Sequence, residues 1–228
     1  MHTGFASLVR TRAAATVRSA GFTLIELLVV IGILALLMGA LLPLVTGGRD
    51  TAEVFACSTN LSKMYQGLLQ YELKFKSFPT QSGPKFLLSL WTRDALGGRS
   101  ETERDIFFCP GINSDPNVER LKKIPVSELW PRLDDITGDD THYAGRNLAD
   151  KTLNVRNLRD GNVCLAADDN EGASNHSSGT VNYLMGNGST RQAIKATLVE
   201  EGLLTKEETF IPVGPESPVP ALKQVIAR

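Results

Sequence analysis

Residues 21–45 read Gly21-Phe22-Thr23-Leu24-Ile25-Glu26-Leu27-Leu28-Val29-Val30-Ile31-Gly32-Ile33-Leu34-Ala35-Leu36-Leu37-Met38-Gly39-Ala40-Leu41-Leu42-Pro43-Leu44-Val45. From position 27 to position 45 there are 19 residues without a charge. About 20 apolar residues cross the core of a bilayer as a helix, so this run predicts a membrane-spanning segment over residues 22–45. An ordinary secretory signal is cut after its apolar run at an A-x-A pattern, and its core is only about 7–15 residues long. Here the run is longer and ends in Val45-Thr46-Gly47-Gly48. Residues 1–21 hold Arg10, Arg12 and Arg18 and no acid. Arginine ahead of the run predicts a cytoplasmic N-terminus and an exported C-terminal domain. Glu26 is the one acid at the head of the run. A charged side chain at the centre of a membrane helix costs roughly 2.5–3.5 kcal/mol, so such an acid calls for a partner.

The ten residues from Gly21 to Val30 resemble the prepilin N-terminal cleavage and methylation motif shared by type IV pilins and type II secretion pseudopilins. The resemblance implies that a prepilin peptidase cuts between Gly21 and Phe22 and methylates the new N-terminus. It also implies that Pro43, twenty-second counting from Phe22, is the helix-kinking proline of that family. Proline removes one backbone hydrogen bond and clashes with the preceding turn, which is why it bends a helix. The cut would place an amine one helical turn from Glu26. That amine is the partner the carboxylate needs, within the chain or from a neighbouring subunit, and such pairing would set subunit register.

Beyond Gly47-Gly48 the apolar residues Val54, Cys57, Leu61, Met64, Leu68, Tyr71 and Phe75 step by three and four. That spacing draws one stripe along an amphipathic helix. The residues divide into a basic leader (1–21), the membrane half of the helix (22–45), its amphipathic half (46–78), a head (79–211) and a proline-rich tail (212–228). In the head, turn chemistry at residues 77–84 precedes a helix over 85–96 stopped by Gly97-Gly98. Strands are predicted at 106–108, 141–145 and 162–167, with a long loop containing helical turns over 111–140. The clearest hairpin runs from Thr180 to Met185, turns at Gly186-Asn187-Gly188 and returns through Ile194, because Asn-Gly adopts the positive backbone angles of a tight turn. Four prolines between Pro212 and Pro220 predict an extended strap or linker. The fold class is α+β and pilin-like: a long N-terminal helix packed on a small antiparallel sheet.

A second resemblance rests on Cys57-Ser58-Thr59-Asn60-Leu61, Phe78-Pro79, Phe108-Cys109-Pro110, Asn175-His176 and Asn182-Tyr183-Leu184 through Asn187-Gly188. These segments are similar to a bacterial pilin-like subgroup with a C-terminal histidine, a nine-residue gap and Asp-Gly. Here ten residues follow His176 before Asn187, which replaces the aspartate ahead of Gly188. The subgroup implies a disulfide between Cys57 and Cys109. From the residues alone, an exported domain permits one disulfide among Cys57, Cys109 and Cys164, with the pairing left open.

Three scattered cysteines lack the paired short spacings of a zinc cluster. Asp168-Asp169-Asn170-Glu171 supplies hard oxygens suited to calcium, but not at EF-hand spacing, and solvated turn acids are the plainer reading. No other cofactor is expected. His176 stands beside Ser177, with Cys164 or Cys57 as conceivable nucleophiles and Asp168 as orienter. No nucleophile motif accompanies them, so no enzyme activity is expected. The arginine-rich leader holds three of the 24 basic residues, leaving 21 against 25 acidic residues downstream. That balance gives no electrostatic footprint for nucleic acid. The expected function is a pseudopilin of a type II secretion or type IV pilus-like assembly in the bacterial inner membrane, with its head periplasmic. Its partners would be the lipid bilayer, other pilin-like subunits, a prepilin peptidase and an inner-membrane assembly platform. Two other functions suit the same spine: a membrane-anchored periplasmic binding protein, and a minor pilin in adhesion or DNA uptake.

Overall fold

A computed structural model describes residues 22–112, 115–149, 158–170 and 173–228, without the side chains of residues 40–47. The leader, including Gly21, lies outside the described residues, and Glu171 does too. The chain divides into two compact units, Met1–Val45 and Thr46–Arg228. One helix, α1 (Leu24–Phe75), contributes to both.

In the first unit the side chains from Phe22 to Gly39 are exposed, apolar on every side of the helix. A helix apolar all round belongs in lipid or among other helices rather than in water. Among the described residues no helix is long and apolar enough to cross a membrane. The predicted span extends into residues 40–45, and Pro43 with its predicted kink falls there, outside the described side chains. Thr23 and Glu26 open α1 with a reciprocal pair. The Thr23 backbone N–H and hydroxyl each donate to Glu26 Oε2 at 2.8 Å, and the Glu26 N–H donates to Thr23 Oγ1 at 3.3 Å. This capping box satisfies backbone donors left over at a helix start. The T-x-x-E spelling ahead of an apolar run carries that signal in the sequence itself.

In the second unit, α1 is followed by α2 (Pro84–Thr92), α3 (Glu101–Asp105), α4 (Pro116–Lys122), β1 (Tyr143–Arg146), β2 (Cys164–Asp168), β3 (Thr180–Met185), β4 (Thr190–Ile194), α5 (Lys195–Glu200) and β5 (Val225–Ile226). The strands form one antiparallel sheet in the order β4-β3-β2-β1-β5. Val54, Cys57, Leu61, Met64, Leu68 and Tyr71 are buried, as the stripe predicts, and most of them pack with Trp91, Phe107, Leu165 and Leu184. Phe75 is 37 % exposed at the end of the helix, where its ring stacks on Tyr71 and lies beneath Lys74 and Arg93. The predicted hairpin is β3–β4. Its turn packs on α1, with the Tyr65 hydroxyl donating to Gly186 O at 3.1 Å.

Two expectations need correction. Residues 106–108 form a turn after α3 rather than a strand. Their backbone bonds run back to Arg104 and Asp105, and Phe107 meets Trp130 edge-on at 5.7 Å. The helix over 85–96 stops at Thr92, because Asp94 takes φ 51 and the Ala95 N–H donates to Leu90 O, a left-handed C-terminal closure. Of the strap and the linker expected for the proline-rich tail, the structure has the strap. Ile211, Leu222 and Val225 are buried against the second face of the sheet with Val181, Met185 and Leu198, and β5 pairs with β1 through Gly145↔Ile226 and Arg146↔Val225.

Candidate functional site: a buried thiol, histidine and carboxylate cluster

Four potential ligands converge between α1 and the sheet. The inward stripe of α1 delivers Cys57, and the turn after α3 delivers Cys109. Asp168 closes β2, and His176 sits in the loop leading to β3. All four are buried, with one ligand atom from each lying within 4.8 Å of the others. Cys57 Sγ is 2.8 Å from Cys109 Sγ, 3.0 Å from Asp168 Oδ1 and 3.0 Å from the Tyr143 hydroxyl. His176 Nε2 is 3.5 Å from Cys109 Sγ and 3.3 Å from Asp168 Oδ2. The three cysteines, Cys164 included, are free thiols in this structure.

Neighbouring polar groups hold these side chains in place. Asp168 Oδ2 accepts from the Asn182 backbone N–H at 2.7 Å and from Asn182 Nδ2 at 3.0 Å. Asn182 Nδ2 also donates to Val54 O, which ties β3 to α1. The Cys109 N–H donates to His142 Nδ1 at 3.1 Å, so the His142 ring proton sits on Nε2 and points to Asp115 Oδ2 at 2.7 Å. Asn60 Nδ2 donates to Phe108 O, bracing the same turn from the helix side.

Electrostatics separates the thiols. Burial pushes the Cys57 thiol far up, helped by its bond to Cys109 and by the nearby Asp168 carboxylate. Cys109 is lowered to about 7, because the Cys57 thiol and then His176 hydrogen-bond to its sulfur more strongly than burial opposes them. For His176, burial acts downward, but the bonds to Asp168 and Cys109 outweigh it and raise the ring to about 10. Burial also pushes the isolated Cys164 up to about 12.

A nucleophilic triad would use opposite nitrogens of the histidine, one for the thiol and one for the acid. Here both contacts fall on Nε2, and His176 Nδ1 is buried without a partner. A Cβ added at Gly111 would lie 2.3 Å from Asn175 O and 2.8 Å from His176 Nδ1. The Gly111→Ala variant should therefore displace the His176 loop and lower stability by about 1–3 kcal/mol, as overpacking does. Thermal unfolding of the two proteins checks this.

The remaining sequence-predicted residues fall elsewhere. Asn187 and Gly188 lie beyond the far end of β3 from His176. Asn187 Oδ1 accepts from the Ser189 N–H and hydroxyl, and Gly188 takes φ 85 against the Tyr65 ring. They shape the hairpin turn. Asp168 faces inward, Asp169 is not in the cluster, and the cluster is the one group of potential ligands found among the described residues. The supporting residues Asn182, Tyr143 and His142 carry no local sequence signal for this role. Asp115 also caps α4 by accepting from the Asn117 N–H.

Burial raises the Asp115 carboxyl, but bonds from His142 and the α4 backbone outweigh it and leave it below the usual carboxylate value. Its stabilisation is therefore complete above the unfolded-chain value near 3.9 and drains away as pH falls through the lower native value. The Asp115→Asn variant keeps a capping oxygen. It should be less stable than the parent at neutral pH, with the gap closing at acid pH, as denaturant titrations at a series of pH values would measure.

Residues 17–42 match the family model of the prokaryotic N-terminal methylation motif. This is a prepilin signal. It spans the end of the leader and the first part of α1, so the prepilin signal and the capped apolar start of the helix are the same residues. No curated protein and no solved structure matches the chain. The head is read from its own geometry. Its fold, a long N-terminal helix packed on an antiparallel sheet, is α+β and pilin-like.

Proposed function

We propose that this chain is a structural pilin-like subunit, a pseudopilin of a type II secretion or type IV pilus-like assembly. The observation that carries the reading is a prepilin signal running directly into a helix whose apolar side chains are exposed all round from Phe22 to Gly39. A peptidase acting between Gly21 and Phe22 would free that helix from its arginine-rich leader. The subunit would rest in the bacterial inner membrane as a single pass, N-terminus cytoplasmic and head periplasmic, in contact with the assembly platform. Subunits would then leave lipid and stack helix on helix, exchanging one apolar surrounding for another. No catalytic step is assigned to the head, since the buried Cys109 thiol and Asp168 carboxylate both meet His176 at the same ring nitrogen.

In the test, cysteine replaces Leu36, which is exposed, while the native cysteines are buried. Oxidative crosslinking in cells should give a disulfide-linked dimer, because one reactive cysteine per subunit joins two chains. Monomers alone, from a processed and inserted protein, would contradict assembly through this helix.

A further inference from the structure

We propose that Cys57, Cys109, His176 and Asp168 form a four-coordinate site for a divalent cation of the zinc class, clamping α1 to the head. The donor set is two sulfurs, one imidazole nitrogen and one carboxylate oxygen, the ligands a borderline-soft ion takes and calcium does not. Bond lengths of about 2.3 Å to sulfur and about 2.0–2.1 Å to nitrogen and oxygen put tetrahedral edges at about 3.5 Å for S–N and about 3.3 Å for N–O. The observed edge from His176 Nε2 to Cys109 Sγ is 3.5 Å, while the 3.3 Å contact from the same nitrogen falls on Asp168 Oδ2, the oxygen that Asn182 holds. The edges at Cys57, 2.8 Å and 3.0 Å, are shorter than such a tetrahedron, so Cys57 Sγ would shift outward by about 0.7 Å on binding.

Charge supplies the second argument. Without an ion, this fully buried space holds two thiols, a carboxylate and an imidazole with an unpartnered Nδ1, an expensive collection to remove from water. A divalent cation compensates two thiolates directly, and the thiol protons leave to solvent as it binds. The supporting shell is already in place. Asn182 fixes Asp168 through two bonds to Oδ2, which leaves Oδ1 for the ion, and the Tyr143 hydroxyl can donate to the Cys57 sulfur. Ligand separations of 52 residues between the cysteines and 67 from Cys109 to His176 make the site a tertiary staple rather than a local finger.

The inference is independent of the assembly reading. In the test, the full-length chain is purified in detergent without chelators, and metal and reduced thiols are counted per chain. Near-stoichiometric zinc with three reduced cysteines is expected. After chelation under reducing conditions, cobalt(II) should restore a thiolate-to-metal absorption band. Cys57→Ser and Cys109→Ser should lose that band, Cys164→Ser should keep it, and Asn182→Ala should weaken cobalt binding by roughly 10- to 100-fold. Should the serine variants fail to fold, the parent's own cobalt spectrum still decides. A reduced parent that binds no cobalt would overturn the proposal, and so would a Cys57–Cys109 disulfide mapped in protein taken from cells.

Discussion

In the metal-free protein the Asp168→Asn variant should lose about 3–5 kcal/mol of stability, the usual cost of removing one partner from a buried ion pair. The carboxylate is fully buried, 3.3 Å from His176 Nε2, and its other bonds come from Asn182 and the Cys57 thiol. Asparagine matches it in size, so the loss measures charge and hydrogen bonding rather than a cavity. The substitution would leave the raised His176 ring buried without its counter-charge. Asp50, on α1, accepts from the Ser177 hydroxyl and the Ser178 N–H at an exposed position. Asp50→Asn should therefore cost no more than about 1 kcal/mol. Urea unfolding followed by the fluorescence of Trp91 and Trp130, both buried in the head, compares the two variants in one experiment.

The second large effect is expected at Glu26. In the structure its carboxylate closes a capping box with Thr23, all of it through Oε2, which leaves Oε1 for another donor. If Glu26 acts only as a cap, Glu26→Gln preserves function, because a glutamine oxygen accepts the same bonds. If it pairs with the amine released by processing, the charge is essential, because in an apolar surrounding the interaction of two opposite charges far exceeds that of a neutral pair. The second outcome is expected: both Glu26→Gln and Glu26→Leu insert normally, and both lose the crosslinked dimer formed through position 36. A crosslinked dimer that survives in Glu26→Gln would reduce the residue to a helix cap.

The parts of the fold that were legible in the sequence were those governed by short-range periodicity. Steps of three and four from Val54 to Tyr71 identified the buried face of α1, and Asn187-Gly188 identified the β3–β4 turn. Residues 106–108 misled because three consecutive apolar residues are buried equally well in a turn as in a strand, and nothing local distinguishes the two. Where the proline-rich tail docks was hidden for a related reason. Prolines forbid regular structure between 212 and 220, but the pairing of Val225 and Ile226 with β1 depends on a partner some 80 residues away in the chain. The cluster was invisible in the same way. Each of Cys57, Cys109, Asp168 and His176 is unremarkable where it stands, and only the packing of α1 on β2 and β3 makes them neighbours. The resemblance that paired Cys57 with Cys109 identified two of the four. The T-x-x-E capping box was readable but overshadowed by the charge of Glu26.

The central claim is that the prepilin signal is used. Mass spectrometry of the N-terminal peptide, in cells with and without a prepilin peptidase, tests it most directly. The account predicts a mature chain that begins at Phe22 with a methylated amine when the peptidase is present, and an intact leader when it is absent. A chain that keeps residues 1–21 in both, or one cut after the apolar run near Val45, would contradict it.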